Sequence, residues 1–570
     1  MKDIRRSLFV AMILSLTLVS GCEQNQKVDS KQNQLIAEEE IGQTKESDEF
    51  EGLNGEIGNT LDERDKINVE DENMNQIKEN AQERISRLEG YFDGITYTEA
   101  VKNVLNNNPL MTQRFGADPY VIEYDGRAYV YMTGDVLQYD DSGAVTNNSY
   151  SQINKLNVIS SADLVNWTDH GTIYAAGPQG AAKWGNNSWA PAVACKEIDG
   201  QMKFFIYFAN GGNGIGVITS DSPTGPFVDP LGHALISRQT PNCSNVAWLF
   251  DPAVLVDDDG RAYLYFGGGI PDEKYADPGT ARVVELAEDM ISLACDPIPM
   301  EVPYLFEDSG INKIGDMYYY SYCSNFNVSE EDTTKLGFSS GQIITMTSKN
   351  PMGPFTLQGP ILKNPGEYFG CYGNNHHCMF EFKGRHYMAY HTQLLESRLG
   401  IAGGYRSTNI NEVILNEDGS IDMIKADETG VEQLESLNPY QKVEAETMAT
   451  MAGVSTIQCD EQSLSCGSGN MAVTQIDTGD WIALKGVDFG TRGAKKFVLR
   501  ANLPEENTGV IQIRLDRLFG EVVGYVELQT DSKDQYVEIT EELLKDVTGE
   551  HDLYFVFYGT GYELDSWYFE

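Results

Sequence analysis

Five times along the chain an apolar strand opens, a two-residue turn containing glycine follows, and a second strand of alternating aromatics runs back. The copies begin at Asp118 (turn Asp125-Gly126), Trp189-Ala190 (Asp199-Gly200), Phe250-Asp251 (Asp259-Gly260), Glu307 (Gly315-Asp316) and His376 (Lys383-Gly384). Alternation on both sides of such a turn is a β-hairpin signature. The openings lie roughly 55 to 75 residues apart, a period that marks a repeat architecture. Each period holds about four short strands, the content of a propeller blade. Two loops, Asp221-Ser-Pro-Thr-Gly-Pro-Phe227 and Asn350-Pro-Met-Gly-Pro-Phe355, are near copies and predict equivalent joints in different blades. The predicted class is all-β: a five-bladed β-propeller over 96–438, then a β-sandwich (jelly-roll) over 439–570, where strand-like runs of a different pattern extend to Phe569.

In a propeller the first strand of every blade lines the axis, so equivalent positions converge at one end. Asp118, Asp251, Glu307 and His376 are thereby expected in one pocket, with uncharged Ala190 opposite. A structural repeat keeps one residue type at such places. Three carboxylates and a histidine point instead to chemistry, the alternative being solvated rim residues. Hydrolysis of a glycosidic bond uses such a set: one acid protonates the leaving oxygen and a second carboxylate activates water, the carboxyls of inverting enzymes standing about 6.5–9.5 Å apart. A third carboxylate raises the acid's pKa by like-charge repulsion.

Composition narrows the partner. With 41 basic against 86 acidic residues the formal net charge is −45, which excludes a nucleic-acid or anionic-membrane surface and suits a neutral polymer. The start has a basic end (Lys2, Arg5, Arg6), an apolar stretch from Leu8 to Val19, and Val19-Ser-Gly-Cys22. That stretch is too short to span a bilayer and reads as an export signal over 1–21. Val-Ser-Gly-Cys resembles a bacterial lipobox, which implies lipidation at Cys22 and anchoring to the outside of the cell envelope. Residues 22–95 are polar and acidic, a predicted disordered tether within which 71–88 has helical potential. Cys459 and Cys466 are the best disulfide pair among the remaining cysteines.

Arg114-Phe-Gly-Ala-Asp118-Pro, Trp189-Ala-Pro, Phe250-Asp251-Pro-Ala, Leu305-Phe-Glu307-Asp-Ser and Tyr372-Gly-Asn-Asn-His376 together resemble glycoside hydrolase family 43, inverting propeller enzymes acting on arabinose- and xylose-containing polysaccharides. The resemblance implies Asp118 as general base, Glu307 as general acid and Asp251 as pKa modulator. It also implies a histidine near a central hydrated calcium, at His376 or its neighbour His377. Arg406 resembles the family arginine that contacts the carboxylates or the sugar. Trp189, Phe250 and, more weakly, Asn325 are candidate sugar contacts. The motifs are most similar to arabinoxylan arabinofuranohydrolases, which remove arabinofuranose branches; β-xylosidase or arabinan-cleaving activity and a non-catalytic surface polysaccharide-binding protein are the alternatives.

From about Gln441 the chain resembles carbohydrate-binding module family 6. That implies a structural calcium held by Glu444, Glu446 and Asp565. The segment before Gly479-Asp480-Trp481 lacks an aromatic, leaving Tyr562 and Trp567 as the candidate stacking residues there.

Overall fold

The structure is a computed structural model that describes residues 80–458, 471–503, 508–528 and 536–570. Cys22, the tether before residue 80 and the Cys459/Cys466 pair lie outside these. The other six cysteines form no disulfide.

Five antiparallel sheets follow one another along the chain to Val413. The first contains β1 (Phe115–Tyr124), β2 (Arg127–Asp135), β3 (Lys155–Ser161) and β4 (Trp167–Tyr174). The second contains β5 (Trp189–Ile198), β6 (Gln201–Ala209) and β7 (Ile215–Ser220). The third contains β8 (Ala253–Val256), β9 (Ala262–Phe266), β10 (Arg282–Leu286) and β11 (Ile298–Pro299). The fourth contains β12 (Leu305–Ile314), β13 (Met317–Ser324), β14 (Ile343–Ser348) and β15 (Thr356–Leu362). The fifth contains β16 (His377–Phe382), β17 (Arg385–Thr392) and β18 (Ser407–Val413). Inner strands touch in the order β1, β5, β8, β12, β16 and back to β1, closing a ring. The two near-copy loops follow β7 and β14, the third strand of their sheets, as their likeness predicts.

Each pair of neighbouring sheets shares an apolar core. Val130 and Ile159 meet Phe380 and Ile410 between the first and last blades, and Tyr265 and Val283 meet Tyr320 and Ile344 between the third and fourth. Tyr120 projects from β1 across the axis, where its hydroxyl donates to the Val254 carbonyl at 2.8 Å. It packs against four of the inter-blade cores and plugs the channel.

The inner strands carry a common irregularity. Pairing slips by one residue between Ala117 and Tyr120, Trp189 and Ala192, and Glu307 and Gly310. At each slip sits a residue with positive φ: Asp118 (47°), Ala190 (42°) and Asp308 (68°), with Asp251 (47°) just ahead of β8. Non-glycine residues seldom adopt this conformation. A bulge inserts one residue and re-aims its side chain. The repeat is therefore in a different register from the one expected: Asp308, not Glu307, is the equivalent of Asp118 and Asp251. Glu307 occupies the position held by Ala117, Trp189 and Phe250.

The C-terminal module comprises β19 (Val443–Glu444), β20 (Thr447–Met448), β21 (Thr450–Ala452), β22 (Ser455–Gln458), β23 (Met471–Thr474), β24 (Trp481–Asp488), β25 (Ala494–Asn502), β26 (Gly509–Leu515), β27 (Val522–Leu528), β28 (Val537–Val547), β29 (Glu550–Tyr558) and β30 (Glu563–Phe569). One sheet runs β22-β23-β30-β25-β28 with β19 beside β30, and the other runs β21-β24-β29-β26-β27. Phe497, Phe555 and Trp567 pack together in the core between them, Phe555 meeting Trp567 edge-on. Tyr562 and Trp567, each 1% exposed, belong to that core and are unavailable for sugar stacking.

Strand β20 leaves its own module. It pairs with β4 as the outermost strand of the first blade, Thr447 opposite Thr168 and Met448 opposite Trp167. The segment after Leu88 also belongs to this body rather than to a loose tether. Helix ends at residue 91, and Tyr91 and Tyr97 then lie against Tyr558 and Phe519 of the sandwich at 4.7 and 4.9 Å between ring centres.

Candidate active site

The bulges bring Asp118, Asp251, Glu307, Asp308 and His376 into one buried cluster, each no more than 8% exposed. Arg406, at the entry to β18, organises one side of it. Its Nη1 donates to Asp118 Oδ1 at 2.7 Å, its Nε and Nη2 donate to the two oxygens of Asp135 at 3.0 and 2.9 Å, and its backbone N–H donates to Asp135 Oδ2 at 2.9 Å. A bidentate fork of this kind fixes the guanidinium plane. Burial by itself would raise the Asp118 carboxyl, but Arg406 and then His376 outweigh it and hold the group well below the usual carboxylate range. These neighbours favour the ionised form of Asp118, as a general base requires.

His376 bridges the cluster, with Nδ1 3.3 Å from Asp118 Oδ1 and Nε2 3.0 Å from Asp308 Oδ1. Burial opposes its charge, yet the surrounding acidic groups, led by Asp308 and then Asp118, push its pKa up to about 9. Both ring nitrogens thus face carboxylates, which favour the charged form of the ring. His377 points into the blade wall, where Asp308 and, at 2.6 Å, Ser321 take its ring nitrogens. Gly310 makes room for it, since a Cβ there would stand 2.9 Å from His377 Nε2. His391 accepts the Asp118 backbone N–H at Nδ1 (3.2 Å) while Nε2 donates to the Asn374 carbonyl (3.1 Å). Burial keeps it neutral.

Glu307 is the electrostatic opposite of Asp118. Burial and then the neighbouring Asp251 push its carboxyl well up, and its Oε1 is buried without a hydrogen-bond partner among the described residues. Asp251 is raised as well, by burial first, with His376 and the Asp308 N–H (3.0 Å to Oδ2) opposing. One pocket thus sets a carboxyl held low beside a carboxyl pushed well up, the kind of separation that acid–base catalysis requires.

The expected sugar contacts divide differently. Phe250 is 6% exposed and lies beneath Trp248, ring centres 5.2 Å apart. Trp248, 39% exposed, meets Phe306 edge-on at 5.3 Å, and Phe306 meets the exposed Phe326 at 5.4 Å. These rings, unlike Phe250, are partly exposed, and Trp248 and Phe306 lie close to Asp251 and Glu307 in the chain. Asn325 is fully buried, its Nδ2 donating to the Tyr275 carbonyl and its Oδ1 accepting the Asn327 N–H, so it clamps a loop and touches no substrate. Trp189 is half-buried and its indole N–H donates to the Tyr150 carbonyl at 3.1 Å. Asp135, Asp308, His391, Tyr150, Trp248 and Phe306 were not legible as site residues in the sequence. Asp308 alone carried a signal, being an Asp directly after Glu307 at the bulge.

In the C-terminal module Glu444 and Glu446 each keep one buried carboxylate oxygen with no hydrogen-bond partner. Lys442 holds the other oxygen of Glu444 at 2.6 Å, and Arg500 and Ser566 hold Asp565 Oδ2 at 2.5 and 2.9 Å. Burial, then the nearby carboxylates, raise Glu446 well above its ordinary value. Among the described residues no ready-made cluster of three or more His, Cys, Asp or Glu ligands occurs.

Residues 106–421 match the family model of the glycosyl hydrolases family 43, and residues 444–570 match the carbohydrate binding module (family 6). An arabinoxylan arabinofuranohydrolase of Paenibacillus polymyxa is 48% identical, covering 81% of this chain and 74% of the relative. One from Bacillus subtilis is 46% identical, covering 83% and 94%. The crystal structure of a glycoside hydrolase family 43 arabinoxylan arabinofuranohydrolase from Bacillus subtilis, in complex with cellotetraose, superposes with a TM-score of 0.78 at 45% identity over 83% of this chain and 99% of that one. With the ring of five sheets, the buried carboxylates and these matches together, the chain belongs to glycoside hydrolase family 43 and carries a family 6 carbohydrate-binding module at its C-terminal end.

Proposed function

We infer that the protein removes α-L-arabinofuranosyl branches from arabinoxylan with inversion. The substrate reading rests on the relatives' activity. The catalytic reading rests on one arrangement, Asp118 held low by Arg406 in the same pocket as Glu307, which burial and Asp251 push well up and whose Oε1 is buried without a partner. In this scheme Asp118 takes a proton from a water attacking the anomeric carbon while Glu307 gives its proton to the xylan oxygen that leaves. Asp251 sustains the acid by like-charge repulsion, and the Trp248–Phe306–Phe326 ribbon supports the polymer. Proton NMR of the earliest product from arabinoxylan tests this. Arabinose appearing first as the β-anomer, with the backbone intact, is the expected result; first release of the α-anomer, of xylose or of arabino-oligosaccharides overturns it.

Calcium is proposed at Glu444, Glu446 and Asp565, because two buried carboxylate oxygens without donors suit a hard cation. When bound it would neutralise these charges and tie β19 to β30. A ligand that binds only the folded form at a hundred times its Kd stabilises by about 2.7 kcal/mol. Excess calcium is therefore expected to raise the module's unfolding temperature over that in EGTA, and Glu446→Gln to remove the difference. Equal unfolding in calcium and EGTA would sink the assignment.

A further inference from the structure

Tyr150 lies in the loop between β2 and β3, outside every repeat motif, and its backbone is held in an unfavourable conformation. Its φ is +60°, an outlier for a bulky aromatic. Three side-chain contacts secure it: Asn148 Oδ1 accepts its N–H at 2.9 Å, and its carbonyl accepts the Trp189 indole N–H at 3.1 Å and an Asn187 amide N–H at 3.5 Å. Strain maintained in this way is typical of functional positions.

The consequence is where the ring goes. It lies under the Arg406 guanidinium, 5.0 Å from ring centre to cation. Its hydroxyl passes over Gly404, where a Cβ would stand 3.1 Å from it and where φ is +95°. There it is within electrostatic reach of Arg406, Asp135, Asp118 and Glu307, that is, of both the base and the acid. Among the described residues no group hydrogen-bonds to this hydroxyl, although the phenol is half-buried.

We propose that Tyr150 is a substrate-contacting residue whose hydroxyl hydrogen-bonds a hydroxyl of the sugar seated between Asp118 and Glu307, and that Trp189 is a positioning residue acting through it. The proposal deepens the arabinofuranosidase reading and rests on it. Trp189 occupies the same repeat position as Glu307 and Phe250, so the fold puts an indole beside the pocket and uses its N–H to hold the Tyr150 backbone rather than its face to hold sugar.

The test compares wild type, Tyr150→Phe, Trp189→Phe and the double variant on arabinoxylan and on 4-nitrophenyl α-L-arabinofuranoside. Tyr150→Phe keeps the ring on Arg406 and deletes only the hydroxyl. It is expected to lower kcat/KM on both substrates by about 5–30-fold, the effect of one lost hydrogen bond in a closed site, with the pH limbs and Tm unchanged. Trp189→Phe is expected to cost less, and to cost nothing further in the Tyr150→Phe background, a non-additivity that independent structural damage would not produce. Wild-type turnover with Tyr150→Phe within twofold of it overturns this proposal alone, as does a full additional loss in the double variant. A wild-type protein that releases no arabinose overturns the functional reading and this proposal together.

Discussion

Glu307→Gln should abolish debranching of arabinoxylan while leaving the protein at least as stable as before. The substitution preserves volume and removes the proton that the proposed scheme delivers to the leaving oxygen, and loss of a general acid typically costs about 10²–10⁴ in rate. Stability should not suffer, because Glu307 makes no hydrogen bond through Oε1 and sits against other carboxylates that resist its ionisation. The informative comparison is the leaving group. A 4-nitrophenolate departs without protonation, so turnover of the aryl glycoside should fall much less than turnover of the polymer. Equal losses on the two substrates would show that Glu307 is not the acid, and a normal rate on arabinoxylan would remove it from the chemistry.

Arg406→Gln should damage both stability and the pH profile. In the wild type the guanidinium is shared by Asp118 and Asp135 inside the ring of blades. Removing one partner from such a buried arrangement typically costs about 3–5 kcal/mol, since it strands the charges left behind. The sign of the pH effect follows from Asp118. With Arg406 present its folded pKa lies far below its unfolded value, so its ionisation stabilises the fold above the unfolded pKa and this is lost only as pH falls through the folded one. Without Arg406, burial is opposed mainly by His376, and the folded pKa rises. The acid limb of kcat/KM should move upward by about 1–3 pH units, and the stability reserved at moderately acid pH should shrink. An unchanged acid limb in a folded variant would mean that another group sets the state of the base.

The ring and its chemistry were largely readable because a propeller repeats its hairpins, and repetition shows in the spacing of Asp-Gly turns and aromatic runs. The register within the repeat was harder. A bulge adds a residue that the hydrophobic pattern cannot count, so Glu307 looked equivalent to Asp118 although Asp308 holds that place. Groups that act by crossing the ring left no pattern at all: Asp135 comes from the end of β2 and Tyr150 from a loop, and each meets Arg406 only after the first and last blades close. Aromatics misled for a related reason. Trp567 and Tyr562 were the candidate stacking residues of the module, but a sandwich of this size needs large side chains between its sheets, and both are spent there.

Strand β20 changes what counts as a separable part of this molecule. A linker between two beads can be cut or exchanged, but here the module donates the outermost strand of the first blade. Ending the chain at residue 438 would bare the edge of β4 at Trp167 and Thr168, and an unpaired strand edge is a template for another chain. Recombination that exchanges binding modules among such enzymes must therefore carry β20 and a compatible β4 as one inherited piece.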